Sequence, residues 1–319
     1  MAMSALNLPG ESLLRWLRVV HETRYHYGAA VELAHHMAHL RPRNMPNQLV
    51  REVQLSVSPA PDNEALWDSL DPYGNTRTLF SHSQVHDQLL VRASFLAGMA
   101  EPAPLEPQAS PAWESVAERL RYHAGEPFEA AEEFVLPSSY APHEAALAEF
   151  AALDFTAERP LLDAALAMMH RIYTEFDYRP TATSVATRAT EALAKRAGVC
   201  QDFAHVMIGA LRSIGLAARY VSGYLLTHPP EGQLRLVGAD ASHAWAAVWC
   251  PHHGWVALDP TNDVLVGVDH VTLAWGRDYG DVAPLRGVIR GGARAVPEVA
   301  VTVEEWPPQG DAQPQTPGD

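Results

Sequence analysis

Cys200 is one of only two cysteines in the 319-residue chain, and it stands immediately ahead of the strongest helical pattern in the sequence, in Gly198-Val199-Cys200-Gln201-Asp202-Phe203. Phe203, Met207, Ala210, Leu211 and Ile214 recur at the spacing of one buried helical face, and Gly215 supplies the stop. The first turn of a helix carries unpaired N–H groups and a positive partial charge. Both favour a thiolate nucleophile, and the same N–H groups can receive the oxyanion that forms when a carbonyl is attacked. Free cysteines are otherwise often small, inert core residues, so position alone is not enough.

A thiolate nucleophile needs a proton partner. His243, in Ala241-Ser242-His243-Ala244-Trp245, opens a strand on which His243, Trp245, Ala247 and Trp249 share a face. Trp255, Ala257 and Asp259 share a face of the following strand, and Pro251-His252-His253-Gly254 is short enough to demand an antiparallel hairpin. Register then decides the chemistry. If residue 250 pairs with 255, Asp259 falls on the wrong face. If 250 pairs with 254, or 249 with 253, His243 and Asp259 lie opposite or diagonal, within side-chain reach. A carboxylate there would fix the imidazole tautomer and stabilise the imidazolium. The competing reading of Asp259-Pro260-Thr261 is a turn that merely ends the strand.

The elements that must position these residues divide the chain as follows. Residues 14–100 read as an N-terminal β-sandwich domain. Arg15–Tyr27 is a strand, Gly28-Ala29-Ala30 a turn, and Val31–Arg41 its hairpin partner, followed by strands at 49–57, 76–81 and 88–96. Residues 101–112, with four prolines between Glu101 and Pro111, read as a linker. Residues 113–296 form the catalytic domain, with helices at 113–123, 143–153, 161–176, 191–197 and 201–214 and strands at 218–226, 242–250 and 255–261. The Pro/Gln/Gly-rich stretch 307–319 reads as a disordered tail.

Composition narrows the function. Hydrophobic residues make up 47% and charged residues 19%, ordinary values for a globular protein that needs no staples. The net charge of −15 argues against nucleic acid and against anionic membrane surfaces as partners. Two cysteines exclude a disulfide framework and thiolate-rich zinc sites. No secretory signal or membrane span is read, and a cytoplasmic location is expected. His35, His36 and His39 would lie on a strand, where His35 and His39 are too far apart to chelate, so no metal is expected there. His252 and His253 fall in a turn. His205 is read as structural, Cys250 as core, and Arg219, Tyr220 and Tyr224 as either packing or groove residues. No acidic loop of the calcium-binding kind is present, and no cofactor is expected.

Taken together, Gly-Val-Cys200-Gln-Asp-Phe-Ala-His, Ala218-Arg-Tyr-Val-Ser-Gly-Tyr224, Ser242-His243-Ala-Trp-Ala and Trp255-Val-Ala-Leu-Asp259-Pro-Thr resemble the bacterial transglutaminase-like superfamily. The start, Leu17-Arg-Val-Val-His-Glu-Thr-Arg-Tyr-His-Tyr27 with Leu40-Arg-Pro-Arg43, resembles the β domain that precedes this core in many bacterial members, and Gly276-Arg-Asp-Tyr279 is typical of the same subgroup. The resemblance implies an α+β, papain-like core in which a Cys-bearing helix packs on an antiparallel sheet. It implies Cys200 as nucleophile, His243 as general base and then acid, and Asp259 as orienting carboxylate. The backbone N–H of Cys200 is the natural first oxyanion donor, and Tyr178, Gln201 and Trp245 are candidates for the second. The implied substrate is a peptide or protein amide. Water resolving the thioester would make a peptidase or amidase, the expected outcome. An amine would make a transglutaminase, and loss of chemistry would leave a binding module. The β domain could gate the cleft, recruit a partner or act as scaffold.

Overall fold

The computed structural model describes residues 13–62, 66–125, 127–227 and 242–307; the expected tail lies, from residue 308 onward, outside them. The first element, β1 (Arg15–Arg41), runs without interruption through Gly28-Ala29-Ala30, so the expected hairpin does not form. The reason is a change of partners along one long strand. The next strands in the chain are β2 (Gln48–Ser58), β3 (Trp67–Leu70), β4 (Thr76–His82) and β5 (His86–Met99); the first half of β1 pairs with β5 and its second half with β4. The β1–β5 register shifts between His26 and Val31, where the turn had been expected. Strand order is β2-β5-β1-β4-β3, and one sheet thereby supplies both layers of a shared core containing Leu17 and Val19 from one half of β1 and Ala38 and Leu40 from the other.

Helices α1 (Trp113–Arg119), α2 (Ala145–Ala152) and α3 (Leu161–Glu175) follow, then β6 (Asp177–Tyr178), α4 (Ala189–Lys195), β7 (Ala197–Gly198) and α5 (Cys200–Ser213). Every residue of α5 from Asp202 to Arg212 is buried, as a helix apolar on most sides requires. It packs against β8 (Ala218–Leu225) and β9 (Ser242–Cys250). With β10 (Gly254–Asp259), β11 (Val264–Leu265) and β12 (His270–Gly276), these form a five-stranded antiparallel sheet of order β11-β10-β9-β8-β12. Phe203, Met207 and Leu211 of α5 meet Ala244, Ala246 and Val248 of β9 in one buried cluster. This is the α+β, Cys-helix-on-sheet core that the sequence implies.

After α6 (Tyr279–Val282), the chain returns to its start. β13 (Leu285–Gly291) pairs with the second half of β1 and β14 (Glu298–Glu305) with the first, so the N-terminal sheet has seven strands drawn from both ends of the chain. The two sheets are also fastened to each other. Tyr224, Leu226, Val271 and Leu273 of β8 and β12 and their flank join the core of the N-terminal sheet. The outer edge of β12 is satisfied by two amide side chains. Gln48 donates to Thr272 O and accepts from Thr272 N, both at 2.8 Å, and Asn75 does the same at Trp275 (2.7 and 3.1 Å). Each amide acts as a one-residue β partner and closes an edge that would otherwise be open.

Candidate active site

Cys200 is the first helical residue of α5 and is half-buried. Its placement depends on the residues around it. The Asp202 carboxylate accepts hydrogen bonds from Val199 N (2.8 Å) and Thr183 Oγ1 (2.6 Å), which ties down the strand-to-helix corner. That carboxylate occupies the space beside Gly198: a Cβ there would sit 2.5 Å from Asp202 Oδ2. The short parallel pairing of β6 with β7 sets Tyr178 opposite Gly198, and Arg179 N donates to Gly198 O at 2.7 Å. The first intrahelical donors are Asp202 N and Phe203 N, both on Val199 O, so the N–H groups of Cys200 and Gln201 lie ahead of the helical ladder.

The β9–β10 register has Cys250 opposite Gly254 and Ala246 opposite Leu258. This is the odd-loop register, and it leaves Asp259 diagonal to His243 on one face. His243 Nε2 donates to Asp259 Oδ2 at 2.7 Å. The neighbouring Cys200 also raises the ring's affinity for a proton, and with Nε2 engaged by Asp259 it is Nδ1 that is left for the sulfur. Burial by itself would lower the His243 value; the hydrogen bonds to Asp259 and Cys200 outweigh it and push it up to about 10. Burial would likewise raise the Asp259 carboxyl, but its hydrogen bonds from His243 and His270 hold it well below the ordinary 3.8.

Asp259 is fully buried and its oxygens are unusually well supplied. Oδ2 also accepts from His270 Nε2 (3.1 Å) and Asn262 Nδ2 (2.7 Å), and Oδ1 accepts from Thr261 N (2.9 Å). Sequence reasoning missed His270 and Asn262, which lie beyond the Asp-Pro-Thr motif. Their signal was weak: a histidine in an apolar strand and an amide three residues after the aspartate. His243, Asp259 and His270 are also the one group among the described residues whose ligand atoms lie within 4.8 Å of one another, as a metal site needs. The 2.7 and 3.1 Å contacts are ordinary N–H···O lengths, so hydrogen bonding accounts for the cluster, and a metal would have to displace both ring protons.

The sulfur and His243 open onto a cavity of about 380 Å³. Tyr178 and Gln201 line it, with Tyr178 more than half exposed and its phenol raised by burial and by the nearby Cys200. The Gln201 amide donates to Val185 O at 3.0 Å. Trp245 is fully buried and does not line the cavity; its ring packs edge-on against His270 (5.4 Å) and lies 6.0 Å from His243. Tyr220 and Ser222 of β8 line the cavity, whereas the Arg219 guanidinium stacks between Trp255 and Trp275. His205 is buried between Tyr140 and Tyr220 and accepts from Tyr279 N at 3.2 Å, and Cys250 is core. His35, His36 and His39 lie on β1, where His35 meets Ser81 Oγ and His36 stacks on Phe80. The far wall was not foreseen: His21, Thr23 and Tyr25 of β1 and Val299 of β14 face the same cavity.

Residues 151–260 match the family model of the transglutaminase-like superfamily, and residues 17–97 that of the bacterial transglutaminase-like N-terminal region. An uncharacterized protein of Mycobacterium tuberculosis is 40% identical over 98% of this chain and 98% of its own. A protein-glutamine gamma-glutamyltransferase of Pseudomonas aeruginosa is 33% identical over 106 residues, 31% of this chain and 16% of its own. Among solved structures, a candidate cysteine protease from Cytophaga hutchinsonii shares the fold, with a TM-score of 0.71 and 18% identity over 92% of this chain and 91% of that one. Among the described residues no helix is long and apolar enough to cross a membrane.

Proposed function

We propose, for a chain that belongs to the transglutaminase-like superfamily, that it hydrolyses amide bonds of a peptide or protein through Cys200, His243 and Asp259. The observation that carries this reading is the continuous line from sulfur to His243 to the buried Asp259, with the imidazole pushed up to about 10. An imidazole held between a buried carboxylate and a sulfur is the proton partner that a thiol nucleophile needs.

The steps follow from those positions. The sulfur attacks the carbonyl carbon, and the N–H groups at the start of α5 receive the oxyanion. His243 gives its Nδ1 proton to the leaving nitrogen, the C–N bond breaks, and the amine departs, leaving a thioester on Cys200. Water then attacks the thioester, His243 takes its proton, and the carboxylic acid leaves as the thiolate–imidazolium pair is restored. Asp259 keeps its charge throughout and orients the ring. Hydroxyl groups of Ser222, Ser242 and Tyr220 line the cavity and can hold the water that this last step needs. A cytoplasmic site of action accords with two unpaired cysteines.

Two measurements test the reading. Iodoacetamide should modify Cys200 near pH 7, and His243→Ala should abolish that reactivity; an inert thiol in the wild type would leave a binding module. With a glutamine peptide and a primary amine, hydrolysis releases ammonia without incorporating the amine. Incorporation would make the protein an acyl transferase.

A further inference from the structure

The inward face of β1 changes character along its length. Leu17 and Val19 are fully buried in the core of the N-terminal sheet, and the same face continues as His21, Thr23 and Tyr25, which line the cavity of Cys200. β14 does the same in register: Val303 and Val301, opposite Val19 and His21, are core, while Val299, opposite Thr23, reaches the cavity. The charged residues of this stretch, Arg18, Glu22 and Arg24, are on the other face. Among the described residues, no Asp, Glu, Lys or Arg lines the cavity, in a chain with a net charge of −15.

His21 and Thr23 are not there as spare core. The Tyr224 hydroxyl, fully buried, lies 3.0 Å from His21 Nδ1, and His21 Nε2 lies 2.9 Å from Thr23 Oγ1. Burial lowers His21 to about 4, so the ring is neutral and has one donor and one acceptor nitrogen. If Nδ1 carried the proton, the Tyr224 O–H would have no acceptor among its described contacts and would be a buried unpaired donor. With the proton on Nε2, Tyr224 donates to Nδ1, Nε2–H donates to Thr23 Oγ1, and every group is paired. Of these three side chains, only the Thr23 hydroxyl then has a hydrogen left to point at the cavity.

We infer that the N-terminal sheet is the specificity wall of this site: Thr23, oriented by His21 and Tyr224, donates a hydrogen bond to an uncharged acceptor side chain of the substrate, such as a carboxamide. The inference rests on the proposed thiol chemistry and adds the substrate class to it. A cavity of about 380 Å³ sits at the small end of ligand sites, so the selected group belongs to the residue at the reacting carbonyl. A cationic or anionic side chain against this wall would lose water and meet no counter-charge among the wall's described residues.

The test uses the full chain and peptidyl vinyl sulfones that carry glutamine, leucine, glutamate or lysine beside the reactive group, with adducts on Cys200 followed by intact-mass measurement. The glutamine probe should react fastest, and the glutamate and lysine probes about tenfold more slowly or worse. Thr23→Val should slow the glutamine probe about tenfold and leave the leucine probe unchanged, and Thr23→Ser should restore the difference. The inference is overturned if Thr23→Val slows both probes alike, if it leaves their ratio untouched, or if charged probes match glutamine. It is also overturned if iodoacetamide labels Cys200 while no vinyl sulfone does. If iodoacetamide is inert as well, the thiol-enzyme reading fails first and this one with it.

Discussion

The wall of the cavity built from α5 and β9 is ionic and crowded with hydrogen bonds. The wall built from β1 and β14 is neutral. On the first, His243 sits between Cys200 and an aspartate that accepts from four donors. On the second, a neutral imidazole and two hydroxyls form a chain with no formal charge, beside Val299. The difference teaches how one small cavity separates two tasks. On the proposed reading, charge is concentrated where a proton must move, and the facing surface is left free to recognise without competing for that proton. A charged recognition residue across so short a gap would act on the His243–Cys200 pair through a poorly screened interior.

The comparison breaks most decisively at Asp259. Asp259→Asn removes the anion while keeping the size of the side chain, and should lower the rate of amide hydrolysis by about 10⁴-fold, the typical loss when such a carboxylate is neutralised. Steady-state kinetics checks this; a loss below tenfold would mean that the ionic wall is scaffolding. The same wall predicts a pH dependence of stability. His243 rises from 6.5 to about 10 on folding, so its contribution is complete below 6.5 and is lost as pH climbs through about 10. Asp259 is depressed from 3.8, so its contribution is complete above 3.8 and is lost as pH falls further. The drop in melting temperature caused by His243→Ala should therefore be greatest between pH 3.8 and 6.5 and shrink toward pH 10. A drop that grows with pH in scanning calorimetry would contradict the protonated imidazole.

His270 sharpens the comparison at smaller scale. Its Nε2 shares Asp259 Oδ2 with His243, and its ring packs edge-on against Trp245. His270→Leu fills a similar volume but removes one donor from a buried anion, which should cost about 1.5–3 kcal/mol in a urea titration. His270→Gln, which keeps an N–H within reach, should recover most of it. An unchanged urea midpoint in the leucine variant would show that three donors suffice.

The ionic wall was far more legible in the sequence than the neutral one, for physical reasons. A helix announces itself by period, so the place of Cys200 at its start could be read directly. His243 and Asp259 flank one tight turn, so parity reduced their meeting to a choice between an even and an odd loop, and Cys250 opposite Gly254 is one of the two odd-loop registers that join them. The neutral wall depends on contacts across some 200 residues, such as Tyr224 with His21. Residues 28–30 looked like a turn because Gly and Ala are poor strand formers. They stay extended because Ala29 N and Ala30 O are bonded to Gly292, from the far end of the chain. One local clue existed: a buried face that passes from Leu17 and Val19 to His21 and Thr23 places polar groups where only a partner or a cavity can use them.

The mildest test adds charge to the neutral wall. Val299 is half exposed at the cavity, so Val299→Lys should fold as the wild type does. Its ammonium would face the site mostly through water, where unit charges at contact distance interact by only about 1 kcal/mol and salt screens them within about 10 Å. Alkylation of Cys200 by anionic iodoacetate should therefore speed up by about two- to threefold at low ionic strength. Alkylation by neutral iodoacetamide should not change, and the iodoacetate gain should fade in high salt. Equal acceleration of both reagents would place the lysine in direct contact with the sulfur's reactivity instead of in the path of the incoming charge, and the division of labour between the two walls would have to be redrawn.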